Sequence, residues 1–301
     1  MKLIEFIQSP NFIDRSNVLT LTKYEQFIQS CDLGTVIPLT QDMIEHQDIH
    51  ETFRQYKNCV LFISNADIDF PPPKKPYTYD KYFNKNTLPI NYLDIDYYDK
   101  IDNELLDIIK KNNLRVFCHA LSINHPYITN IPLSCFHQFR HFHMKTYPKT
   151  ILCYANFGLT CDRWFGNPRN IVYKDIQKLH FVLCENIGAN GRHQHHDYYY
   201  DKIARSKFAI CPRGCGIDSY RLWDCILLGC IPIVERYDGN NQMNDLPILF
   251  INSYKDYGNL TEAYLHQVYD EFQKRNFNYD KLFFSYWEAK IHEVYDTTIH
   301  I

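Results

Sequence analysis

The sequence predicts an α/β protein made of two halves, each organised around a parallel sheet. Short apolar runs of strand length alternate with longer amphipathic stretches, the order expected of strand–helix–strand units. The short runs read as strands buried on both faces, which is how strands of a parallel sheet read. The alternation is interrupted at His141 to Lys149, a segment carrying Pro148, so one boundary separates two series of strands. A chain of 301 residues has the length of two domains or one large one.

In the first half the strands are expected over Thr35 to Pro38, Cys59 to Ile63 and Leu114 to Cys118, and the helices over Lys23 to Cys31, Ile49 to Tyr56 and Asp99 to Lys111. Pro71, Pro72, Pro73 and Pro76 mark a stiff exposed loop, because consecutive prolines fit neither a helix interior nor a central strand. In the second half the strands are Thr150 to Tyr154, Leu179 to Leu183, Phe208 to Cys211, Ile231 to Glu235 and Ile248 to Ile251. The helices are Pro168 to Lys178, Tyr198 to Ser206, Asp218 to Leu228, Leu260 to Lys274 and Asn278 to Val294. The domains are therefore residues 1–145, residues 146–275 and a C-terminal helix within 276–301. Ligands of such sheets bind beyond the carboxyl ends of the strands.

Composition narrows the class. Apolar residues are 45% and aromatics 16%, which excludes a disordered chain. A net charge of −3 supplies no overall positive field for nucleic acid or an acidic membrane, so any anion site must be local. The N-terminus has no signal-peptide pattern, and polar residues interrupt every apolar stretch before it reaches membrane-spanning length. A soluble, cytoplasmic protein is expected. The 11 cysteines are odd in number, include no CxxC pair and sit in apolar segments, so buried reduced thiols are expected rather than disulfides or a zinc site.

The most informative stretch runs from Ser206 to Glu235 and parses as strand, glycine-containing loop, helix and strand. Gly214 and Gly216 permit close backbone approach, Asp218 or Ser219 can cap the helix, Gly229 can end it and Pro232 opens the next strand. At helical spacing Leu222, Trp223 and Ile226 form an apolar stripe, while Arg221 and Asp224 share another face. A helix N-terminus after glycines binds anions, and Arg213 and Arg221 would add charge-assisted hydrogen bonds to a diphosphate. Asp224 would accept from ribose hydroxyls, although Arg221 and Asp224 also fit an ordinary i, i+3 ion pair. Neither GxxxxGK[ST] nor a full GxGxxG is present, which argues against a P-loop NTPase or a nicotinamide enzyme.

The run SKFAICPRGCGIDSYRLWDCILLGCIPIV, followed by DLP at Asp245 to Pro247, resembles the nucleotide-sugar-binding signature of exostosin-like glycosyltransferases, viral members included. That resemblance implies a GT-B architecture, two Rossmann-like domains facing across a cleft, and a transferase moving a sugar from a UDP- or GDP-sugar to a glycan, glycoprotein or other hydroxyl acceptor. It implies that Arg213, Gly214, Gly216, Ser219, Tyr220, Arg221, Asp224 and Glu235 line the donor site, and that the C-terminal helix crosses back onto the first domain. Arg221-Leu222-Trp223 is also similar to a tract of fucosyltransferase-like GT-B enzymes whose basic residue holds the diphosphate. Asp224 stands where the exostosin pattern usually has glutamate, and Gly216, eight residues earlier, is not acidic; the missing acidic pair points to inversion.

A second element, Tyr154 to Arg169, is a strand running through a polar loop into a helix at Pro168, and places Asn156, Arg163 and Arg169 near the same crevice. The resemblance makes Arg169 the basic residue that approaches the phosphates. Arginines and a helix dipole can stabilise a departing diphosphate without metal, so no cofactor is expected. Inversion also needs a base, expected from the other domain: Asp67 in the segment Ser64 to Pro73, which is similar to viral exostosin-like sequences, or His119 after the third strand. Two other readings follow from other residues. Asp67-x-Asp69 and Asp94-x-Asp96 resemble the metal-binding pair of GT-A transferases, and a non-catalytic sugar- or nucleotide-binding protein would share the fold. His193, His195 and His196 form a polar run that fits a solvated loop better than a metal site, and Tyr198, Tyr199 and Tyr200 suit packing or sugar stacking.

Overall fold

A computed structural model of the chain describes residues 1–7, 18–38, 48–64, 70, 102–133, 147–159, 168–185, 196–214 and 216–299. The first half runs α1 (Leu3–Ile7), α2 (Leu21–Cys31), β1 (Gly34–Ile37), α3 (Asp48–Arg54), β2 (Val60–Ile63), α4 (Asn103–Lys111), β3 (Arg115–Cys118) and β4 (Ile128–Asn130). The second runs β5 (Ile151–Ala155), α5 (Pro168–Ile176), β6 (Val182–Cys184), α6 (His196–Ala204), β7 (Ser206–Ile210), α7 (Tyr220–Leu227), β8 (Ile231–Glu235), β9 (Leu249–Ile251), α8 (Glu262–Lys274) and α9 (Phe284–Ile299). Short 3-10 turns occupy Asp238–Met243, Tyr254–Asn259 and Tyr279–Leu282.

The strands form two sheets, one of four strands in the order β1-β2-β3-β4 and one of five in the order β6-β5-β7-β8-β9. Every neighbouring pair is parallel. Side-chain alternation explains why the first sheet needs cover on both faces. Leu61, Ile63, Val116 and Cys118 point into a core completed by Phe53, Leu105 and Ile109 of α3 and α4. Val60, Phe62 and Phe117 point the other way, against Tyr24 and Ile28 of α2 and Trp287 and Ile291 of α9. Burying both faces is what makes the short runs continuously apolar.

The two ends of the chain cross over. α9 lies on the first sheet, packed against α2, β2 and β3. In the opposite sense Leu3 and Phe6 join the core of the second sheet, Phe6 stacking on Tyr279 with ring centroids 3.8 Å apart. The Met1 amino group donates to Phe277 O, and Phe277 N–H donates back to Met1 O. The segment 1–145 is thus not one spatial unit: its first residues pack with the second half.

Several boundaries differ from the expectations. The strand expected over Leu179 to Leu183 lies at Val182–Cys184, because Leu179 closes a turn onto Ile176 O. The helix expected from Asn278 to Val294 is a 3-10 turn followed by α9, with Phe283 in extended backbone between them. α1 and β4 were legible from neither length nor pattern, being five and three residues long. Among the described residues eight cysteines are free thiols, and no helix is long and apolar enough to cross a membrane.

Candidate active site

The order of the second sheet locates a crevice. From β5 the chain moves outward to β6, then returns past β5 to β7, β8 and β9, so the winding reverses between β5 and β7. At such a switch point the loops leaving adjacent strands part in opposite directions and leave a gap beyond the carboxyl ends. The residues bordering it are Asn156, Phe157 and Gly158 after β5, Cys211 to Gly214 after β7, the head of α7, and Glu235 closing β8.

Arg169, the second residue of α5, is buried between the loops that follow β5 and β7. Its Nε donates to Arg213 O at 2.7 Å, Nη1 to Gly158 O at 3.0 Å and Nη2 to Pro212 O at 3.4 Å. It therefore ties the β5 loop to the β7 loop. Sequence reasoning places Arg169 on a phosphate; its guanidinium is instead committed to backbone carbonyls, and its positive charge reaches the crevice from the second layer. Gly214 lies directly against it: an added methyl would stand 3.0 Å from Nη2. Gly214 N–H donates to Gly216 O at 2.9 Å.

The head of α7 is fixed by Asp218, not by the Ser219 side chain, which makes no capping bond. Asp218 accepts from Ser219 N–H at 2.7 Å and from the Trp223 indole N–H at 2.9 Å, and its other oxygen accepts from Leu133 N–H of the first half at 2.9 Å. Burial pushes its pKa up to about 6 despite these donors. Trp223 is anchored in the core by the same bond, so the apolar stripe and the cap are one unit.

Arg221 faces the crevice from the first turn of α7. Its guanidinium carbon lies 5.8 Å from the centre of the Phe157 ring, with that of Arg169 at 6.0 Å from the same ring. Nε of Arg221 is buried and makes no hydrogen bond. Burial opposes its charge, but Tyr199, Cys211, Cys225 and Asp224 around it carry its pKa above the ordinary arginine value, so it stays cationic. Asp224 does not lie on an open face: it is 2% exposed, sunk beside Tyr199 and Arg221, which removes it from direct contact with a ribose in this arrangement. Tyr220 packs against the core of the second sheet, as does Tyr199.

Glu235 ends β8 beside the same arginines. Its Oε1 is buried without a hydrogen bond; burial raises its pKa to about 6, against the pull of Arg213 and Arg169. Tyr257, whose hydroxyl donates to Ile233 O at 3.2 Å, lies near Glu235, Arg169 and Arg221. A separate network sits at the β5–β6 side. Glu185 accepts from Tyr154 OH at 2.6 Å, from Tyr198 OH at 2.6 Å and from Asn156 Nδ2 at 3.3 Å, while Asn156 also donates to Tyr154 OH at 2.7 Å. Asn156, expected at the donor, is 8% exposed and serves this network. Glu185, Phe157 and Tyr257 were missed in the sequence; only the position of Glu185 directly after a strand, at the carboxyl end, offered a signal.

In the first half His119 follows β3 and is 1% exposed. Nδ1 bonds Ile131 O at 3.1 Å, Nε2 makes no hydrogen bond, and the ring meets Phe62 and Tyr24 edge-on at 5.6 and 6.2 Å. Burial lowers its pKa to about 4, so it is a neutral core histidine in an aromatic cluster, not a base open to solvent. Asp67, Asp69, Asp94, Asp96, Arg163, His193 and His195 lie outside the described residues. Among the described residues no three His, Cys, Asp or Glu side chains gather as a metal site requires. No protein-family model matches the sequence, and no curated protein matches it either.

Proposed function

We propose that this chain is a glycosyltransferase of GT-B architecture, which takes a UDP- or GDP-sugar in the second half and transfers the sugar, with inversion and without metal, to a hydroxyl of a glycan or glycoprotein. One observation carries the reading: at the switch point of a parallel sheet, Arg221 in the first turn of α7 stands against Phe157, and Arg213 and Arg169 act on Glu235 at the end of β8. The resemblance of the Ser206–Glu235 run to an exostosin-like donor signature supports the same assignment.

In the reaction an acceptor oxygen forms a bond to the anomeric carbon as the bond from that carbon to the diphosphate oxygen breaks. The departing diphosphate takes the electron pair, and in this reading Arg213, Arg221 and the α7 dipole stabilise its charge. Arg169 acts on the loop rather than on the ligand. A base removes the acceptor proton; Asp67 is the assignment we keep, since His119 is enclosed and neutral.

The test is calorimetric titration of UDP, GDP, dTDP and CMP into wild type and Arg221→Ala, with and without magnesium or manganese. A nucleoside diphosphate is expected to bind wild type without metal, and Arg221→Ala to weaken it at least tenfold, as losing a charge-assisted hydrogen bond does. Absence of binding by every nucleotide would overturn the proposal.

A further inference from the structure

We infer that Glu235 is the group that accepts hydrogen bonds from ring hydroxyls adjoining the diphosphate, the role that sequence spacing gives to Asp224. The inference rests on the donor reading above. Among the described residues four carboxylates lie near the carboxyl end of the second sheet, and Asp218 already accepts from Ser219, Trp223 and Leu133. Asp224 is enclosed at 2% exposure. Glu185 already receives three donors, two tyrosine hydroxyls and the Asn156 amide. Glu235 is only partly exposed, yet its Oε1 receives no donor from the protein.

Such a group is costly to keep. A buried carboxylate oxygen without a donor forfeits hydration, and native structures rarely tolerate it without a use. Glu235 is held in place from the backbone side: Asn240 Nδ2 donates to Glu235 O at 3.0 Å, and the Asp238–Met243 turn that follows is pinned against the first half at Gly239. Arg213 and Arg169 lie close enough to act on its charge. A carboxylate beside a cation fits a ligand that presents hydroxyl donors next to a phosphate. It does not fit a bare anion, which the carboxylate would repel.

Two rings of a nucleoside-diphosphate sugar flank the diphosphate, the ribose and the transferred sugar. The experiment separates them. UDP, GDP, ADP and CDP are titrated against their 2′-deoxy counterparts, and UDP-glucose and GDP-mannose against UDP and GDP, in wild type and Glu235→Gln. If the ribose is read, wild type binds a ribonucleotide about 10- to 100-fold tighter than its 2′-deoxy form, and Glu235→Gln shrinks that ratio while leaving deoxynucleotide affinity nearly unchanged. If the sugar is read, Glu235→Gln weakens only the sugar nucleotides. Either result supports the inference. It is overturned, with the donor reading intact, if Glu235→Gln binds every ligand with wild-type affinity. If wild type binds none of them, the donor reading and this inference fall together. The wild-type comparison of ribo- and deoxynucleotides needs no variant to fold.

Discussion

Arg169 and Arg221 occupy the same place in their helices, second residue of α5 and second residue of α7, and the fold gives them different work. The difference lies in what surrounds each fork. Arg169 meets three backbone carbonyls, so its planar donors are spent on the protein. Arg221 meets an aromatic ring and acidic side chains, and keeps a buried Nε unbonded. His119 makes the residue-scale argument testable. Its folded pKa near 4 lies below the unfolded value, so the stability it contributes is present above about pH 6.5 and is lost as pH falls toward 4. Asp218 and Glu235, both raised to about 6, act in the opposite sense, their contribution being lost as pH rises through 6. Comparing wild type with His119→Phe cancels them: the stability of wild type relative to the variant should fall by about 3 kcal/mol between pH 7 and pH 4 in urea titrations. A difference constant with pH would rule out a buried neutral histidine.

At the scale of elements, α7 shows how a helix is defined at both ends by single residues. Asp218 fixes its start through Ser219 N–H and the Trp223 indole, and Gly229 ends it in left-handed backbone at φ 65°. Gly229 N–H then donates to Ile226 O and Cys230 N–H to Cys225 O, turning the chain directly into β8. Since a side chain is strained in that region, Gly229→Ala should lower the unfolding free energy by about 1–2 kcal/mol. An unshifted urea midpoint for Gly229→Ala would contradict this account. The apolar stripe, the end and the terminating glycine of α7 were legible in the run Asp218 to Gly229, while its first helical residue is Tyr220, two positions later than expected. The capping partner was not, because Asp218 and Ser219 are equivalent caps by composition, and the choice between them depends on Leu133 from the other half.

At the scale of the whole molecule, the halves are joined beside the crevice by contacts that leave little slack. Besides Asp218 to Leu133, Asn130 Nδ2 donates to Gly239 O at 3.4 Å, and a methyl group added to Gly239 would lie 1.6 Å from Leu121 O. Backbone meets backbone there, so no rotamer change relieves the clash. Gly239→Ala should cost about 3 kcal/mol or more. It should also separate a single calorimetric unfolding transition into two, as the halves lose their joint; an unchanged thermogram would show the contact to be loose. The crossing of α1 and α9 adds a second joint, each terminus closing a core of the other half.

The sequence by itself determined the α/β class, most strand and helix positions and the Ser206–Glu235 strand–loop–helix–strand unit. These follow from periodicity and from glycine and proline chemistry, which act over a few neighbouring residues. Tertiary structure alone decided which carboxylate is enclosed and which is left with an unfilled oxygen, whether an arginine meets backbone carbonyls or an aromatic ring, and which half each terminus completes. It also settled His119 as core. Burial and hydrogen-bond partnership are set by residues distant in sequence, such as Leu133 for Asp218 and Ile131 for His119, and no local pattern specifies them.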